Sequence, residues 1–112
     1  AGMVGDSPIK PVVMMAQLLK FAGHRIIIAT GRPRIYNTIT LQFLKDNDIP
    51  YDAAYLRANK DYRPDTVVKE NMLRKMRLNG YDPTIAFDDR KSVVEMWRAN
   101  GLFVFQVDEG NF

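Results

Sequence analysis

The sequence predicts an α/β protein built on a doubly wound parallel sheet with helices on both faces. Three observations predict it. Segments of helical and strand character alternate along the 112 residues. The stretches between successive strands are long enough to hold a helix, which parallel strands require. The run Ile26-Ile27-Ile28 is continuous rather than alternating, the pattern of a strand buried on both faces. Crossovers in such units are right-handed, and ligands bind beyond the carboxyl ends of the strands.

Ala1 to Pro8 reads as a flexible leader of small residues, and 9–112 as a single partial core. Lys10 to Ala22 places Val12, Val13, Met15, Ala16, Leu18 and Leu19 at helical spacing, with Pro11 in the first turn and Gly23 past the end. A strand over Arg25 to Ala29 follows. Pro33 opens a second helix to about Asn47, with Ile35, Ile39 and Phe43 on one stripe, and Tyr51 to Leu56 is a weaker strand. Arg57 to Arg63 is a polar, basic loop. Asp65 to Leu78 is a third helix with Val68, Met72, Leu73 and Met76 inward and Gly80 after it. Thr84 to Phe87 is a short buried strand. Ser92 to Asn100 is a fourth helix, with Ser92 and Glu95 as an S-x-x-E capping box and Gly101 past its end. Leu102 to Val107 is the last strand.

Composition narrows the function classes. The absence of cysteine excludes a disulfide framework, a thiolate metal site and a cysteine nucleophile. Sixteen basic against thirteen acidic residues give a net charge of +3, which favours anionic ligands without marking a nucleic-acid binder. No apolar run reaches membrane-spanning length, and no secretory pattern opens the chain, so a cytoplasmic setting is expected.

The strand ends carry the chemistry. The triple-Ile strand ends in Thr30-Gly31-Arg32, which fits either a simple turn or a cradle in which hydroxyl, backbone amide and guanidinium grip a phosphate. The third strand ends in Asp88-Asp89-Arg90. Either Asp89 favours the positive start of the next helix, or the pair binds a hard divalent cation through oxygen. Lys69, early in the third helix, is either an exposed lysine opposing the helix dipole or a cation aimed at an anion. His24 is expected at the surface and Trp97 in the core.

Together these residues resemble the haloacid dehalogenase (HAD) type of phosphatase. Thr30, Lys69 and the pair Asp88-Asp89 stand where that superfamily carries its second, third and fourth motifs. The stretches IIIATGR, RPDTVVKE and AFDDRKSVVEMWRANGLFVFQVDEGNF are similar to the 3′-phosphatase domain of phage polynucleotide kinase–phosphatase. The resemblance implies that Thr30 and Lys69 hold a phosphoryl group and that Asp88 and Asp89 position Mg²⁺. It implies that Gly31 and Arg32 contact substrate phosphate, with Arg57 and Arg63 as further candidates. The implied substrate is a phosphorylated nucleic-acid end or a nucleotide. A non-catalytic module that grips such ends, or a phosphatase for small phosphomonoesters, are the alternatives.

The superfamily's first motif, D-x-D-G-T, supplies the nucleophile from a central strand, and this sequence has none. The one acidic residue before Thr30 is Asp6, with no apolar strand ahead of it. The resemblance therefore implies little or no phosphatase activity for the chain as given. It also implies a gap of roughly two strand spacings, about 9–10 Å, between the strands ending at Thr30 and Asp88. Direct closure, a strand from Ala1 to Ile9, a homodimer, or a strand supplied in trans would fill it.

Overall fold

The computed structural model describes residues 10–110 of the chain. The leader, Asp6 and a strand from Ala1 to Ile9 fall outside them. The order is α1 (Lys10–Phe21), β1 (Ile27–Pro33), a 3-10 turn (Arg34–Tyr36), α2 (Asn37–Asp46), β2 (Ala53–Arg57), α3 (Asp65–Leu78), β3 (Ile85–Arg90), α4 (Lys91–Ala99) and β4 (Phe103–Gly110). The α/β alternation is as the sequence predicts, and both strand pairs are parallel. β1 pairs with β2 from Ile27↔Ala53, and β3 with β4 from Ile85↔Phe103. Among the described residues these are two separate two-stranded sheets, with no ladder between β1 and β3. Direct closure by a ladder from β1 to β3 is not seen among the described residues.

The chain divides into two compact units, 10–61 and 62–110 of the described residues. The core of the first is Ile28, Leu44 and Ile49, packed against by Val13, Ile26, Leu41, Phe43 and Ala54. Full burial of one such aliphatic side chain contributes about 1.5–3 kcal/mol. Asp52 ties α1 to the start of the sheet: its carboxylate accepts from the Ile26 amide at 2.7 Å and pairs with the Lys20 ammonium. The Lys20 hydrogen bond first, and the Ile26 amide second, hold its carboxyl below the usual aspartate range.

Here the helical stripe differs from expectation. Ile35 and Ile39 are exposed, at 73% and 61%, and α2 instead turns Thr40 and Leu44 inward. Pro33 does not open the helix. It ends β1, and Arg34–Tyr36 wind as a 3-10 turn before α2 begins at Asn37. Three residues per turn against 3.6 shifts the phase of the face, so a stripe counted from Pro33 points the wrong way. On α1 Met15 and Leu18 are likewise exposed, while Val12 is buried.

The core of the second unit lies between α3, α4 and the sheet. Val68, Met72, Leu73 and Met76 are buried on α3, Val93, Val94 and Trp97 on α4, and Leu102 and Val104 at β4. The other face of this sheet carries Ile85, Phe103 and Phe105, all exposed, with Phe87 stacked on Phe105 at 5.2 Å. The strand over Thr84–Phe87 is thus buried on one face rather than two. α4 also begins differently from the expected Ser92 capping box. β3 runs straight into the helix, Arg90 is the capping residue, and it makes no side-chain cap. The Asp88 carboxylate instead accepts from the amides of Asp89 and Arg90. After α4, Gly101 has φ near +90°, and the Leu102 amide reaches back to Trp97 O, closing the helix as predicted. α2 ends the same way with Asp48 at φ 54°, a conformation that costs an L-residue more than glycine.

Candidate active site

The first candidate cluster is the carboxyl end of β1. Thr30 pairs with Leu56 on β2, and the next registered pair is Pro33 with Arg57. Gly31 and Arg32 thus bulge out of the ladder at the strand end, freeing backbone for other partners. Thr30 is only 3% exposed. Its hydroxyl oxygen accepts from the Arg32 amide at 3.2 Å, which leaves the hydroxyl proton to donate elsewhere. Arg57 spans the turn: its Nε donates to Gly31 O at 2.9 Å and its Nη1 to Asp61 O at 3.0 Å. The Ile35 amide donates to Asn59 Oδ1 at 2.8 Å, tying the 3-10 turn to the same loop. The guanidinium of Arg57 thus fixes the Thr-Gly-Arg turn. Arg32 is part-exposed at the bulge, and Arg63 stands exposed in the loop before α3.

The second cluster is the carboxyl end of β3 together with the first turns of α3. Lys69 is 4% exposed and Asp88 is fully buried. The reading of Lys69 as a solvated lysine therefore fails. Its ammonium lies 3.3 Å from Asp65 Oδ2, one turn earlier on α3, and 3.8 Å from Asp88 Oδ2. Asp65 also stands 3.6 Å from Arg90 Nη1. An unpaired ammonium would be far too costly at this depth, and the two carboxylates offset its desolvation. Asp65 before Lys69 is the favourable order along a helix, and the acidic first turn also suits the helix dipole. Asp88 collects two backbone amides on Oδ1, at 2.9 and 3.2 Å, and the Trp97 indole N–H on Oδ2 at 3.1 Å. Asp89 is half-buried beside it, and its backbone carbonyl accepts from Gln106 Nε2 at 3.2 Å.

Sequence reasoning found Lys69 and the acidic pair but missed two members of this cluster. Asp65 is legible in retrospect as the residue one turn before Lys69. Trp97 was expected in the core, where it is, but nothing in the spacing shows its N–H reaching Asp88. The basic residues Arg74, Lys75 and Arg77 are exposed on α3, as a solvated face would be, and Arg77 donates to Asn100 O. Glu70 lies off the cluster and accepts from the Asn100 amide group.

Magnesium takes hard oxygen ligands, keeps several waters, and is bound by one or two carboxylates. Among the described residues, no three acidic or imidazole side chains converge on one point. The oxygen donors of the Asp88-Asp89 pair nonetheless suit such an ion in their chemistry. Structural zinc sites favour imidazole or thiolate, and the chain has no cysteine and a single histidine, His24.

Alternating parallel strands and helices, with a Thr-Gly-Arg turn at one strand end and a buried lysine against an acidic pair at another, define an α/β domain of the HAD phosphatase type. The comparison with known families narrows the class. The chain belongs to the family of the polynucleotide kinase PNKP phosphatase domain, whose family model matches residues 2–112. Its structure is similar to a chain in the "Structure of the Pnkp1/Rnl/Hen1 RNA repair complex", with a TM-score of 0.89 and 34% identity over 96% of this chain. A chain in the "Structure of Pnkp1/Rnl/Hen1 complex" matches with the same score and identity. This chain spans 35% and 37% of the length of those two.

Proposed function

We propose that this domain hydrolyses the 3′-phosphomonoester at an end of DNA or RNA with Mg²⁺ as its cofactor. The observation that carries the reading is Lys69, a buried ammonium fixed between Asp65 and Asp88 at the carboxyl end of β3. A cation held rigidly in a dry site offsets negative charge developing on a transferring phosphoryl group far better than one in water. In this reading Lys69 binds the phosphoryl oxygens. At its own strand end Thr30 offers its hydroxyl proton to a phosphate oxygen, as the family resemblance implies, and the bulged Gly31–Arg32 backbone offers an amide. Arg32 grips a further phosphate oxygen, Arg63 steers the strand, and Arg57 keeps the turn in shape. The pair Asp88-Asp89 is the end of the site that holds Mg²⁺, which when bound neutralises phosphate charge. The nucleophilic carboxylate comes from a further strand of the D-x-D-G-T kind, a motif this sequence lacks. The site lies in a domain whose described helices are all too short or too polar to cross a membrane.

The test is release of inorganic phosphate from a 3′-phosphorylated oligonucleotide in Mg²⁺. The 112-residue chain alone is expected to release little or none. Adding a segment that carries D-x-D-G-T in trans is expected to bring turnover, and Lys69→Met is expected to abolish it. Robust turnover by the chain alone would overturn the supplied-nucleophile reading. Binding of the oligonucleotide end without turnover under any complementation would favour a non-catalytic end-binding module, which the absent motif also fits. Faster hydrolysis of a small phosphomonoester than of the oligonucleotide would reassign the substrate class.

A further inference from the structure

The apolar side chains that follow the Thr-Gly-Arg turn take no part in the core. The 3-10 turn Arg34–Tyr36 has no buried residue. Ile35 is 73% exposed, Tyr36 47%, and Ile39, four residues after Ile35, 61%. α2 reaches the core of its unit through Leu41, Phe43 and Leu44 instead. Apolar residues exposed singly are ordinary, but Ile35, Tyr36 and Ile39 lie within a single turn or so of chain, and a patch of that kind marks a contact surface.

The patch is tied to the strand end. Arg57 Nε donates to Gly31 O at 2.9 Å, and the Ile35 amide donates to Asn59 Oδ1 at 2.8 Å. Gly31 and Ile35 are thus both fastened to Arg57–Asn59, a stretch whose end Cα atoms lie at most about 7 Å apart. The same loop closes with the Asp61 amide on Ala58 O at 3.2 Å and holds Lys60 at φ 60°, a left-handed conformation unfavourable for lysine. The loop therefore fixes where Lys60 stands beside Asn59.

The charge around the patch is mostly of one sign. Arg34 and Lys60 are exposed, and no acidic residue occurs from Gly31 to Lys45. An aromatic ring with aliphatic neighbours, set between cations, suits an occupant that is flat and apolar on its faces and joined to anionic groups. A nucleobase on its phosphodiester backbone has that chemistry, and any base can stack because every base has a π face.

We propose that Ile35, Tyr36 and Ile39 form a platform on which the last base of a single-stranded nucleic acid stacks against the Tyr36 ring, with Arg34 and Lys60 on the phosphates that precede it. Placing that strand's 3′-phosphate at the Thr-Gly-Arg turn rests on the proposed function; the platform itself rests on exposure and charge. The platform selects unpaired ends, because a base within a duplex is already stacked, and it has little preference among bases.

The test uses the full 112-residue chain and three probes: a 3′-phosphorylated thymidine tetranucleotide, the same strand with its last base removed, and the same strand ending in a 3′-hydroxyl. The complete 3′-phosphorylated strand is expected to bind about tenfold more tightly than the strand without its last base. Tyr36→Ala should erase that ratio and leave affinity for the abasic strand within about twofold, whereas Tyr36→Phe keeps the ring and should keep the ratio. Tyr36 makes no side-chain cap on α2 and is half-exposed, so the fold should tolerate both changes. Arg34→Gln should weaken all three probes alike and flatten the slope of log affinity against log salt by about 0.7.

Equal binding with and without the last base, or a ratio unchanged in Tyr36→Ala, would overturn the platform. The 3′-hydroxyl strand separates this inference from the phosphatase reading. Upfield shifts of the Tyr36 ring protons on adding it, with no affinity gained from a 3′-phosphate, would support the platform and sink the phosphatase reading. Affinity gained from the 3′-phosphate with no shift of the Tyr36 ring would sink the platform alone.

Discussion

The two strand ends that carry the candidate residues are held together by different forces. At the end of β1, Thr30, Gly31 and Arg32 form a turn of mostly neutral groups, tied by single hydrogen bonds and by one guanidinium on carbonyl oxygens. At the end of β3, full charges sit out of water: Lys69 against Asp65 and Asp88, with Asp88 locked by three N–H donors. A neutral turn tolerates the loss of one member, because each polar group left behind can find water or a backbone partner. A buried ionic set is stable only as a set, because removing one charge strands the other. The first arrangement leaves donors available to an incoming anion, and the second fixes a charge in advance.

The largest expected effect tests this contrast directly. Asp88→Ala should destabilise the chain by about 3–5 kcal/mol in urea unfolding, because it removes one of the two carboxylates beside the buried Lys69 and orphans three N–H donors. A loss below about 1 kcal/mol would mean that Lys69 escapes to solvent and that the cluster is no set at all. Thr30→Val at the other strand end should cost only about 1 kcal/mol, the worth of one ordinary hydrogen bond. Equal losses at the two positions would break the comparison.

A third substitution sharpens it from the opposite side. The Thr40 hydroxyl is buried with no hydrogen-bond partner among the described residues. Thr40→Val keeps the shape and removes the orphan, so it should raise stability by about 1 kcal/mol. The smallest effect belongs to the exposed pair of Lys20 and Asp52. Because folding lowers the Asp52 carboxyl below its usual value, its contribution is complete above the unfolded value of about 3.9 and disappears as pH falls through the lower folded value. Asp52→Asn should therefore lower the melting temperature slightly at neutral pH, and the difference from wild type should close in strong acid. A difference that persists there would assign the effect to shape rather than charge.

Much of this was legible in the sequence, for reasons that differ by element. The bounds of α3, Asp65–Leu78, are read directly, since a proline stands before the helix, a glycine after it, and four apolar residues repeat at helical spacing. The strand-end motifs are legible because a polar group directly after an apolar run has few other reasons to be there. The face of α2 was not legible. A 3-10 turn changes the phase of everything after it, and Arg34–Tyr36 carry no residue that announces one. The start of α4 was misread because Asp88 caps the chain from within the strand, a contact that depends on the path of the backbone. The bond from Trp97 to Asp88 was invisible for the same reason: it exists only once α4 has folded back along β3.

The pairing pattern of the strands also bears on how the molecule is made. Each strand is laddered to the next strand in the chain, β1 to β2 across α2 and β3 to β4 across α4. No described ladder reaches back from the second half of the chain to the first. Within each unit the paired strands lie close along the chain, Ile27 with Ala53 and Ile85 with Phe103, so little loop-closure entropy is lost in forming each pair. As the polypeptide leaves the ribosome, the first strand pair can assemble as soon as β2 emerges, before Lys69 and Asp88 have left the ribosome.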